Sequence, residues 1–154
     1  MLKSDGLLAF TFHQARLSGW IALVQALAEA GLVVTAVQPV KGEMTTSVTK
    51  GGPITLASDI SNLDAVVVCR KRASAVSNSM TDPGAAAEVG EHRLTALQSA
   101  GVDVGAGDIR SVIRGHVLAT YTANRNPLDV QSLAALADEL RAERVTRLMA
   151  MPHK

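Results

Sequence analysis

Leu2-Lys3-Ser4-Asp5-Gly6-Leu7-Leu8-Ala9-Phe10-Thr11-Phe12-His13 is the stretch on which the fold turns. A polar turn at Asp5-Gly6 launches the apolar run Leu7–Phe12, which predicts a strand closing at Thr11 and His13. Trp20, Leu23, Leu27 and Ala30 then recur at helical spacing, with Val24 widening the stripe. Ser18 stands as the N-cap of that helix and Gly31 at its C-terminal end. Leu32–Val37 is nearly all apolar and rich in β-branched residues, which predicts a strand buried on both faces and stopped by Pro39. Strand, helix and strand in this compass make a βαβ unit, with parallel strands and a right-handed crossover. Leu63–Cys69 predicts a third, returning strand, followed by the basic cluster Arg70-Lys71-Arg72.

A unit of this size cannot bury both faces of its own sheet. Residues 1–72 therefore read as the end of a domain rather than its beginning. The expected fold class is α/β: a partial sheet of β-α-β plus a returning strand, followed by an all-α C-terminal segment. Residues 41–62 lack periodicity and carry Gly, Thr, Ser and Pro, which reads as a long functional loop. Residues 73–84 read as a linker and 85–154 as the helical segment.

Three helices are expected there. The first spans about Ala85–Ala100 and the second starts near Asp108, with Ile109, Val112, Ile113, Val117 and Tyr121 on one face. The third follows Pro127-Leu128-Asp129, with Asp129 as cap and Leu133, Leu136, Leu140 and Val145 facing inward. Asp138, Glu139, Arg141, Glu143 and Arg144 alternate in sign, the pattern of a solvated face.

Composition narrows the class. Of 154 residues, 47 % are apolar and 19 % charged, which excludes a disordered chain. A net charge of +1 gives no whole-molecule attraction to nucleic acid, so such a role needs a local patch. No apolar run is long enough to span a bilayer and no signal segment opens the chain, so the expectation is a cytoplasmic protein with no membrane partner. The single cysteine, Cys69, excludes an internal disulfide and reads as a small buried apolar residue.

Few groups suggest chemistry. Thr11 and His13 close the first strand, and Glu43 follows the second, at the sheet edge where open α/β sheets bind ligands. Lys41, Lys50, Arg70 and Lys71 form a phosphate-facing patch if the loop folds beside the third strand. Arg110 and Arg114, one helical turn apart, are a weaker signal of the same kind. Val102-Asp103-Val104-Gly105-Ala106-Gly107-Asp108 is similar to the glycine-rich turn that holds S-adenosylmethionine in many methyltransferases. With only three residues for a preceding strand and a helix after it, the turn reads as a helix start instead. His92, His116 and His153 lack the spacing of a metal site.

One resemblance spans nearly the whole chain. The segment from Leu2 to His13, Trp20 leading a helix through Ala26-Leu27-Ala28-Glu29-Ala30-Gly31, and Val34–Val40 with Glu43 resemble the late catalytic region of the large bacterial adenine-specific DNA methylases, often described as carrying a zinc ribbon and the DUF1156 domain. Asn62–Lys71 is similar to that family's final strand. Gly107-Asp108-Ile109-Arg110, Gly115, Leu118 and Tyr121 are similar to its C-terminal helical segment. Gln14 and Gln38 depart from it, where a second histidine and an aromatic are common.

The resemblance implies that residues 1–72 are the end of a Rossmann-like catalytic domain that moves a methyl group from S-adenosylmethionine to the adenine N6 amino group in DNA, on a flipped base. The family's Asp-Pro-Pro-Tyr and Phe-x-Gly-x-Gly motifs occur nowhere in the chain. The implied cofactor and DNA thus belong to a complete enzyme, with an N-terminal methylase chain as partner, and no catalysis is expected from this chain alone. The alternative is a non-catalytic α/β module that pairs with a partner chain.

Overall fold

In the computed structural model, residues 3, 6–13, 16–42, 63–74, 81–124 and 129–150 are described. The first strand, β1 (Leu7–Phe12), forms where the apolar run predicts it. Helix α1 (Leu17–Glu29) buries Trp20, Val24 and Leu27. Its N-cap is Arg16, without a side-chain cap bond, so Ser18 lies in the first turn rather than capping it. Gly31, at φ +77°, turns the chain out of the helix in the left-handed region open to glycine.

Strand β2 (Leu32–Lys41) runs straight through Pro39 instead of stopping there. An edge strand tolerates proline because its outer side needs no donor. Strand β3 (Leu63–Lys71) alternates buried and half-buried residues along its length. The sheet order is β1-β3-β2, and β3 is antiparallel to both neighbours. β1 and β2 therefore run in the same direction, as the βαβ pattern predicts, but they do not pair. The returning strand is inserted between them, and every hydrogen-bonded pair in the sheet is antiparallel. The chain is mixed α/β.

β2 is buried on both faces only at Val33-Val34. Opposed residues share a face, so Leu8, Phe10 and Phe12 lie with Cys69, Val67 and Ala65, and with Val34 and Val37 of β2. Helices cover that face. The opposite face carries Thr11, Val66, Val68, Ala36 and Gln38, none of them fully buried.

Three further helices follow: α2 (Pro83–Ser99), α3 (Ala106–Ala123) and α4 (Val130–Met149). Asp82 caps α2 by accepting from the Ala85 amide at 3.0 Å, ahead of Pro83. The central element is α3, buried on nearly every side and touching α1, α2, α4 and β2. Ile109, Ile113, Val117 and Leu118 on it are wholly buried, each contributing roughly 1.5–3 kcal/mol of apolar transfer. Sheet and helices share one core, from Val37 and Val67 through Trp20 to Leu133 and Ala137.

Polar bonds fix α3 to the sheet at both ends. At its start, Asp108 accepts from the Gly105 amide at 2.9 Å and from the Leu63 amide of β3 at 3.2 Å. At its end, the Thr122 hydroxyl accepts from the Val34 amide at 2.9 Å, beside the bulge between Val34 and Ala36. The Arg72 guanidinium donates to the Thr122 carbonyl at 2.8 Å.

The alternating charges of α4 are not all solvated. Arg144 is buried, bonded to the Leu140 carbonyl and 3.4 Å from Glu91 on α2, while Arg147 grips the same carboxylate twice at 2.8 Å. The two arginines hold the Glu91 carboxyl below its ordinary range, with the Arg147 hydrogen bond the largest cause.

Candidate functional site

The carboxyl ends of β1 and β2 lie beside the start of β3. Phe12 opposes Ala65, and Lys41 opposes Leu63. His13 thereby falls next to Asp64, the one acidic residue in an otherwise apolar run. Its Nδ1–H donates to the Asp64 carboxylate at 2.6 Å, with 53 % of the His13 side chain and 28 % of the Asp64 side chain exposed. An imidazole held at Nδ1 by a carboxylate has a fixed ring plane and presents Nε2 as its free acceptor. Such a group can take a proton from a bound substrate.

At the same end of the sheet is a cleft of about 400 Å³, lined by Lys41, Gly42, Leu63, Ala100, Gly101, Val102 and Asp103 but not by His13 or Asp64. Its walls come from the ends of β2 and β3 and from the turn between α2 and α3. Gly101, at φ +90°, makes that turn, with the Val102 amide bonded to the Leu97 carbonyl at 3.0 Å. Lys41 and the exposed Asp103 set one positive and one negative charge at the cleft.

The residues expected at this edge divide. Thr11 is exposed on the face away from the helices, opposite Val66. His13 and Lys41 belong to the edge, whereas Glu43 and Lys50 lie outside the described residues. Arg70 and Lys71 stand at the far end of the sheet, where Lys71 opposes Leu32. Leu32 and Lys41 end the same strand, about 30 Å apart at strand rise. The expected basic patch therefore does not form from Lys41, Arg70 and Lys71, because β3 runs back across the sheet and carries its basic tail away.

The glycine turn is a helix start. Gly105 is the N-cap of α3, and Asp108 reaches back to it from the third helical position rather than capping the helix as its first residue. That buried carboxylate occupies the Gly105 amide which an S-adenosylmethionine site of this kind would offer its ligand. At this turn that amide is therefore not open to a ligand.

Cys69 is wholly buried, and burial pushes its thiol up to about 11, as suits a packing residue rather than a nucleophile. His116 is also wholly buried, where burial above all, and then the Arg93 charge, push it down to about 4. Arg93 itself is held by the Gln38 side chain. Among the described residues no group of three or more His, Cys, Asp or Glu could hold a metal ion. Among the described residues no helix is long and apolar enough to cross a membrane.

The sequence pattern did not single out Asp64 or Asp103. Asp64 had one visible signal, a carboxylate set into a run of buried apolar residues. Against protein-family models, curated proteins and solved structures, the chain has no match.

Proposed function

We propose that this chain is the C-terminal portion of an S-adenosylmethionine-dependent DNA adenine N6-methyltransferase, supplying the closing strands of its catalytic sheet and a helical appendage. The strand order carries the reading. The segment that resembles the family's final strand is the one that returns, antiparallel, between two strands of common direction. The resemblance of β1, α1 and β2 to the strands and helix before it has the same order along the chain.

In this reading the cofactor and the amino-group pocket belong to the N-terminal chain that carries Asp-Pro-Pro-Tyr. Thr11 and His13 stand near the substrate, at the carboxyl end of β1. His13, oriented by Asp64, accepts a proton at Nε2. Lys41 faces DNA phosphate beside it.

Calorimetric titration tests the proposal. S-adenosylmethionine gives no saturable heat with the isolated chain, and it binds the complex with a chain carrying Asp-Pro-Pro-Tyr. Saturable binding to the isolated chain, abolished by Gly105→Val, overturns the reading.

A further inference from the structure

Between α2 and β2 lies a cavity of about 420 Å³, lined by Gln38 and by Val89, His92, Arg93, Ala96 and Leu97. The five α2 residues recur at helical spacing, so they form one wall, and Gln38 forms the other. Arg93 is half-buried there, and its Nη1 donates to the Gln38 side-chain carbonyl. Its Nε is shut off from solvent and has no hydrogen-bond partner. Among the described residues no carboxylate pairs with Arg93. Glu91, two residues away, is held by Arg144 and Arg147 of α4 instead.

A guanidinium drawn partly out of water is ordinarily matched by an anion. Gln38 offers Arg93 a dipole but no charge, so the position calls for an anion from outside the chain. The lining narrows which one. Val89, Ala96 and Leu97 supply apolar wall, which suits a hydrocarbon body rather than a bare inorganic ion. One arginine balances one negative charge. No Asp or Glu lines the cavity, so an ammonium on the ligand would be left unpaired, which excludes amino acids and other zwitterions.

We propose that this cavity binds a small organic monocarboxylate, with the carboxylate on Arg93 and His92 and the aliphatic body against Val89, Ala96 and Leu97. The site goes beyond the functional reading above. Gln38 opposes Val66, which opposes Thr11, so the cavity stands two strands, about 10 Å, from the β1 edge of the sheet. Its ligand is neither DNA nor S-adenosylmethionine, whose ammonium has no partner in the lining.

The test titrates the isolated full chain, isotope-labelled for NMR, with isocaproate, isocaproamide and leucine. The three share one apolar body; the amide lacks the charge, and leucine adds an α-ammonium. Isocaproate is expected to shift the amide signals of residues 89–97 saturably in the millimolar range, with isocaproamide and leucine weaker by roughly tenfold or more. Equal binding of isocaproamide or of leucine overturns the proposal. So does inorganic phosphate that binds as tightly as isocaproate, and so does the lack of a saturable shift with both isocaproate and benzoate. Arg93→Gln lowers the isocaproate affinity roughly tenfold or more, and unchanged affinity in that variant also overturns the site. The comparison of acid with amide on the unaltered chain decides the matter even where the variant does not fold.

Discussion

Trp20 fills the space that a side chain on Gly115 would need. A Cβ built on Gly115 meets Cη2 of the indole at 2.7 Å and Cζ2 at 2.8 Å, so α1 and α3 approach over bare backbone. The indole also donates to Ser111 at 3.3 Å and meets the Phe12 ring edge-on at 4.8 Å. One aromatic thus ties α1 to both α3 and β1. Gly115→Ala gains up to about 1 kcal/mol of helix propensity but forces a rigid ring and two helices apart. We expect a net loss of about 1–3 kcal/mol. Urea unfolding followed by the fluorescence of the chain's single tryptophan measures it. The loss shrinks when Gly115→Ala is made in a Trp20→Leu background, which lacks the tryptophan and is followed by circular dichroism instead.

Asp108 is buried and accepts from two amides on different elements, Gly105 and Leu63. Asp108→Ala removes the acceptor that both amides share. The expected cost is roughly 2–4 kcal/mol by urea unfolding, and Asp108→Asn costs less because its carbonyl still accepts.

His116 makes stability depend on pH. Its Nδ1–H donates to the Val112 carbonyl at 2.8 Å, and Gly90 leaves room for the ring. With the folded group near 4 and the unfolded one near 6.5, the unfolded state binds more protons between those values. The stabilisation is complete above pH 6.5 and is lost as pH falls toward 4, by about 2 kcal/mol at pH 5. His116→Leu flattens the profile between pH 7 and 5. An unchanged slope in that variant contradicts the assignment.

On the proposed function, Lys41 and Lys71, at opposite ends of the sheet, behave differently toward DNA. In the assembled enzyme, Lys41→Ala weakens DNA binding and lowers the slope of log affinity against log salt by about 1. Lys71→Ala, at the opposite end of β2, leaves that slope alone.

Local pattern was enough to find every described strand and α-helix, though not the short 3-10 turn at Arg72–Ser74, because apolar period and turn residues set them within a few residues of their bounds. Order in the sheet was not. Whether β3 lies beside β2 alone or between β2 and β1 depends on pairings more than fifty residues apart in sequence. Pro39 misled because its effect depends on whether the strand is an edge, a tertiary fact. Arg144 misled for a similar reason: its partner Glu91 lies on another helix. The position of His13 just past a strand end was legible in the sequence, whereas its Asp64 partner needed the register. Arg70 and Lys71 grouped with Lys41 in the sequence reading only because the direction of β3 was unknown.

The most direct test of the central claim is methyl transfer. The chain is co-expressed with a methylase chain of the resembled family that carries Asp-Pro-Pro-Tyr, and the complex is incubated with DNA and S-adenosylmethionine labelled in its methyl group. The expected result is label in N6-methyladenine with the complex and none with either chain alone. Equal N6-methyladenine from the partner without this chain, or no adenine methylation by the complex, would contradict the account.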